Sequence, residues 1–158
     1  SVVTLPNSQL ISTSVDNLGA RLYRRSRCFL GVTYDTHPDL IEAFCEGIRE
    51  LIRNNPKIRQ DFYHVHFNQF GPASLDILLN VFFRVSDFTE EMAEREIFFL
   101  EILRLAQKLG VEFAFPTQTL HVYSQQEQPR SPDLGSDLTD RARTIAQNLR
   151  LKKLQQTR

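Results

Sequence analysis

The chain has 158 residues, of which 41% are hydrophobic and 24% charged, enough for one domain with its own core and ordinary for a globular protein. Nineteen basic residues balance nineteen acidic ones, which excludes a global electrostatic pull toward nucleic acid or an anionic membrane surface. Two cysteines, Cys28 and Cys45, exclude a secreted disulfide framework and read as small apolar thiols in a reducing compartment.

No run approaches the ~20 apolar residues that span a bilayer, and no signal-peptide pattern opens the chain. Ser1 stands where an initiator Met would, and Val2–Leu5 reads as the middle of a strand. A fragment of a longer protein is therefore expected. Residues 1–25 read as the end of an upstream β domain and a linker: a strand, a Pro-Asn-Ser turn and a short irregular strand ending near Gly19. Arg21, Arg24, Arg25 and Arg27 form a basic cluster there, either a solvated linker or the lining of a solute path.

Residues 26–116 read as one α/β domain. Cys28–Tyr34 is a continuous apolar strand. Thr36-His37-Pro38-Asp39 predicts a helix start with Thr36 as N-cap and Pro in the first turn. Ile41, Phe44, Cys45, Ile48, Leu51 and Ile52 recur at helical spacing, and Asn54-Asn55-Pro56 ends that helix. Phe62–Phe70 alternates as a half-buried strand, with Tyr63, Val65 and Phe67 inward and His64, His66 and Asn68 outward. Gly71–Ser74 turns the chain into a long apolar strand, Leu75–Val85. Asp87–Leu109 is a second helix closed by Gly110. Its apolar stripe, widened by Ile97, Phe98, Leu100 and Leu105, is broad enough to be a subunit contact. Val111–Phe115 completes the order βαββαβ, so the expected fold class is α+β, a ferredoxin-like sandwich.

Pro116 stops any regular strand. Residues 117–124 then hold a second short strand, Thr119, Leu120, His121, Val122 and Tyr123, too short to be stable alone. It is expected to complete a sheet shared between copies of the chain. A polar Pro-containing linker follows at 125–136. Residues 137–158 form a C-terminal helix in which Leu138, Ala142, Ile145 and Leu149 approach a coiled-coil seam.

Chemistry-bearing patterns are sparse. His64-Val65-His66 puts two imidazoles on one strand face but lacks a third metal ligand at a supporting spacing. Ser74 has no nucleophile elbow and no assignable base. Phosphate-binding glycine loops are absent, and Phe82-Phe83-Arg84-Val85 does not supply the aromatic motif of an RNA-binding sheet. No catalysis, cofactor, metal or nucleic-acid partner is expected.

Pro6-Asn7-Ser8, Val15-Asp16-Asn17, Arg24-Arg25, Gly31–Asp35 (G-V-T-Y-D), Phe67–Gly71 (F-N-Q-F-G) and Phe115–Thr119 (F-P-T-Q-T) occur in that order. Over about Val2–Tyr123 they resemble the cytoplasmic portion of the small-conductance mechanosensitive (MscS-like) channel family. The resemblance implies a homo-oligomeric, heptameric channel of the cell (inner) membrane with this fragment on the cytoplasmic side. Upstream helices would meet the lipid bilayer and form a tension-gated pore releasing ions and small osmolytes on hypo-osmotic shock. The fragment would build a hollow vestibule with side portals, closed by a small barrel made from the Thr119–Tyr123 strands, whose closure removes exposed edges. The resemblance also places Asn7 and Ser8 against the pore-lining helix, in contacts that influence inactivation. It places Arg27 at the portal, where relatives carry an acid. A non-channel oligomeric α/β scaffold is the alternative, with a small enzyme using His64 and His66 as a third.

Overall fold

The computed structural model describes residues 22–115, 135 and 137–156. The chain divides into two compact units, Ser1–Thr117 and Gln118–Arg158, and each is described by itself. In the first, β1 (Leu22–Val32), α1 (Pro38–Arg53), β2 (His64–Phe70), β3 (Leu75–Val85) and α2 (Phe88–Leu109) follow one another. The sheet is antiparallel in the order β1-β3-β2, and the unit is α+β.

β3 is the centre because its sequence is apolar on nearly every position. It pairs with β1 over the whole length, from Leu22↔Val85 to Val32↔Leu75. On its other edge it pairs with β2 and then, at Ile58↔Phe83, with the loop that follows α1. Odd-numbered β3 residues Ile77, Leu79, Val81, Phe83 and Val85 are wholly buried and meet the two helices.

α1 buries Ile41, Phe44, Cys45, Ile48 and Ile52, the face its spacing predicts. Its N-cap is His37 and not Thr36: with Pro38 at the first helical position, residue 37 holds the capping site, and His37 Nδ1 accepts from the Asp39 N–H at 3.0 Å. Thr36 instead shares a 3.0 Å hydrogen bond with Thr33. Beyond the helix, the Gln60 amide donates to the carbonyls of Ile52, Asn55 and Ile58 at 2.7, 3.1 and 2.9 Å. These include a carbonyl of the last turn, which has no partner within the helix.

α2 starts and stops where its sequence predicts. Asp87 accepts from the Glu90 N–H at 2.8 Å, and Gly110 closes the helix at φ 84°. It buries Phe98, Ile102 and Ala106, whereas Ile97, Leu100 and Leu103 are exposed. Phe44, Phe83 and Phe98 are fully buried at the centre of the core, each side chain contributing roughly 1.5–3 kcal/mol.

Three elements differ from expectation. β1 starts at Leu22 instead of Cys28, so Arg24, Arg25 and Arg27 lie within a strand and not in a linker. Phe67 is 40% exposed although it shares the inner face with Val65. A bulge at Asn68 shifts the register immediately after it. Val111–Phe115 makes one antiparallel bridge, Phe113↔Val32, flanked by two hydrogen bonds to the Gly31 carbonyl and the Thr33 N–H. The fourth strand of a complete ferredoxin-like sheet is thus reduced to a bridge.

In the second unit, α3 (Leu138–Gln156) is exposed along its whole length, including Leu138, Ile145 and Leu149 of the expected seam. No helix among the described residues is long and apolar enough to cross a membrane. Asn7, Ser8 and the Thr119–Tyr123 strand lie outside the described residues.

Candidate functional site

The β-strand alternation sorts the basic cluster. Arg24 points with the inner residues toward α2, where its Nε lies 3.6 Å from Glu91 Oε1. Glu91 is only 8% exposed and is also bound by Arg95, whose Nε reaches Ser26 Oγ at 3.4 Å. These polar groups satisfy one another beneath the first half of β1.

Arg25 and Arg27 point the other way, onto the sheet face opposite α1 and α2. By register this face also holds Tyr23 and Phe29 of β1, Leu78, Asn80, Phe82 and Arg84 of β3, and His64 and His66 of β2. Across its middle, Arg25 Nε donates to Asn80 Oδ1 at 3.0 Å, and Asn80 Nδ2 lies 3.1 Å from His64 Nδ1. An arginine can only donate, so the amide oxygen must face Arg25 and its NH2 must face His64. His64 in its neutral form then carries its proton on Nε2. Its ring also stacks edge-on against Phe62 at 4.8 Å.

Charges on this face are unevenly compensated. Arg59 is held by Asp61 at 2.6 Å and lies over Tyr23, Phe62 and Phe82 at 5.1, 5.7 and 6.0 Å. The guanidinium holds the Asp61 carboxyl below its usual range. Asp76 is buried and engaged by Ser74 Oγ at 2.5 Å and Gln69 Nε2 at 2.9 Å. Arg27 makes no ion pair among the described residues and rests over the Phe29 ring at 5.2 Å. Arg25, Arg27 and Arg84 leave the face positive, and such a field raises the local concentration of anions.

His64 and His66 do share a face, with ring centroids 6.3 Å apart, but no group of three metal-ligating side chains occurs among the described residues. Ser74 serves the turn: its hydroxyl donates to the Asp76 carboxylate, which Gln69 also binds. Asn80, which ties β1 to β2, escaped the sequence reading. Its signal was there: Asp76, Asn80 and Arg84 interrupt an apolar strand at even positions and so share one face.

Two motifs far apart in sequence meet at the hairpin turn. The Gly71 N–H donates to the Ser74 carbonyl at 2.7 Å, the Tyr34 hydroxyl donates to the Gly71 carbonyl, and Gln69 binds Asp76. Gly31 lies beneath Ser74, where a Cβ would stand 2.9 Å from its Oγ. G-V-T-Y-D and F-N-Q-F-G are therefore parts of one junction.

A family model described as mechanosensitive ion channel MscS, C-terminal, matches residues 28–113. The chain is 32% identical over 123 residues to an uncharacterized MscS family protein of Aquifex aeolicus (strain VF5), covering 77% of this chain and 33% of that one. It is 34% identical over 119 residues to the low conductance mechanosensitive channel YnaI of Escherichia coli (strain K12), covering 75% and 34%. With the small-conductance mechanosensitive channel MscMJ of Methanocaldococcus jannaschii it shares 33% over 122 residues, covering 77% and 35%. The chain thus spans about a third of the length of these curated relatives. With more than half of its residues matched by the family model, the chain belongs to the MscS family of mechanosensitive ion channels.

Proposed function

We propose that this chain is the cytoplasmic vestibule region of a homo-oligomeric, tension-gated channel of the cell membrane that releases ions and small osmolytes on hypo-osmotic shock. Membrane tension favours the open state because that state occupies more area in the bilayer, a shift of population and not a chemical step. Helices upstream of Val2 meet the lipid and form the pore, with Asn7 and Ser8 against it. The subunits form a heptameric ring, and their Thr119–Tyr123 strands close its far end. No residue acts as a catalyst, and no cofactor takes part.

The observation that carries the reading for this chain in particular is Arg27, without an ion-pair partner among the described residues, on the sheet face opposite α1 and α2. Seven copies of it beside the portals favour anions in the vestibule. Patch recordings of the full-length protein under graded suction, in cells lacking their own tension-gated channels, test this directly. Stepwise currents are expected, and silence with the protein present in the membrane sinks the channel reading. In a salt gradient, Arg27→Glu should move the reversal potential toward cation preference, a few-fold change in permeability ratio. An unchanged potential removes Arg27 from the solute path.

A further inference from the structure

A cavity of about 850 Å3 opens between the N-terminal half of α1 and the outer end of the β2–β3 hairpin, within the size range of small-ligand sites. Three aromatic residues line it, Tyr34, Phe67 and Phe70, with 52%, 40% and 76% of their surface exposed. The Phe67 and Phe70 rings stand 5.2 Å apart at 79°. Residues three apart on a regular strand point to opposite faces; the bulge at Asn68 brings these two to the same one. Tyr34 is fixed beside them by its bond to the Gly71 carbonyl. The floor is apolar, from Ile41 and Leu75.

α1 supplies the charge. Glu46 is taken by Arg49 at 3.1 Å and Arg53 at 2.9 Å, and Arg49 is further engaged by the Val65 carbonyl. Glu42 lines the same cavity and makes no ion pair among the described residues. One carboxylate without an ion-pair partner among the described residues thus shares a cavity with three partly exposed rings, two of them packed edge to face.

We propose that this cavity is a binding site for a compact quaternary ammonium cation. Perpendicular aromatic walls present their negative ring faces to a cation, and methylated ammonium groups, with weak hydration and an apolar shell, suit such walls. Arg49 and His66 also line the cavity, but Arg49 is taken by Glu46 and the Val65 carbonyl; an anion would still meet Glu42, and a neutral apolar guest would leave it without a counter-charge. The site is independent of whether the assembly conducts.

The test is calorimetric titration of choline into the full-length protein, with 3,3-dimethylbutanol, its neutral isostere, titrated in parallel. Saturable choline binding is expected, with the isostere at least about tenfold weaker. Phe70→Leu, at an exposed position, should weaken choline about tenfold while leaving the isostere unchanged, and Glu42→Gln should do the same. No saturable choline binding overturns the proposal. Equal binding of the isostere shows an apolar groove only and also overturns it, as does wild-type affinity in both variants.

Discussion

At Gly71 a methyl group would stand 2.7 Å from Asp76 Oδ2 and 2.9 Å from the Ser74 carbonyl oxygen. The second atom is backbone of the turn itself and has nowhere to go, and Asp76 is held by two hydrogen bonds. At Gly47 the corresponding contact is also 2.7 Å, but with the end of the Leu105 side chain, which can adopt another rotamer. Gly71→Ala should therefore cost about 1–3 kcal/mol and Gly47→Ala less than about 1.5 kcal/mol, read as midpoints of urea unfolding with unchanged slope. Equal losses would show that the turn yields as easily as the helix contact. The motif residues were legible as a set, yet nothing in their spacing said that Gly31, Tyr34 and Gly71 touch. That follows from the β1–β3–β2 order and the return of the hairpin, which are properties of the fold.

The elements were most legible where one residue imposes a boundary on its own. Asp87 and Gly110 bracket α2 because a carboxylate at the N-cap binds a free N–H and glycine tolerates the left-handed conformation after the last turn. Asp87→Ala should cost about 1 kcal/mol, measurable as a lower unfolding midpoint; Asp87→Asn should recover most of it, and a loss not recovered by Asn would point to charge instead of capping. Ser86 and Lys57 also bind Glu90 in the first turn, at 2.6 and 2.9 Å, so the end of the helix is held from both sides. β1 was less legible. Its inner face carries Arg24 and Ser26 where an isolated strand would need apolar residues, because Glu91 and Arg95 of α2 come to meet them. Polar groups that find partners only in the tertiary structure look like linker in a sequence. The bulge at Asn68 was invisible for a related reason: alternation read from Phe62 onward presumes a regular register, and one extra residue reverses it.

For the molecule as a whole, the balance of 19 basic and 19 acidic residues hides a separation by place. The sheet face opposite α1 and α2 is basic, while α1 carries a chain of carboxylate–guanidinium pairs through Glu46, Glu50, Arg49 and Arg53. Arg53 and then Arg49 hold the Glu46 carboxyl below its ordinary value of 4.5. A carboxyl depressed by folding adds stability above that ordinary value and loses it as pH falls through the lower, folded one. Glu46→Gln should thus narrow the gap in unfolding midpoint between neutral and acid solution, by a small amount because the pair is exposed, and by less in high salt. An acid limb identical to that of the native chain would show that the pairs contribute nothing. The same helix has another effect. Arg49 donates to the carbonyl of Val65, on β2, an edge strand of the three-stranded sheet among the described residues. An open strand border invites any other extended chain to add to it. With a guanidinium seated on it, one of the acceptors along that edge is no longer open to an added strand.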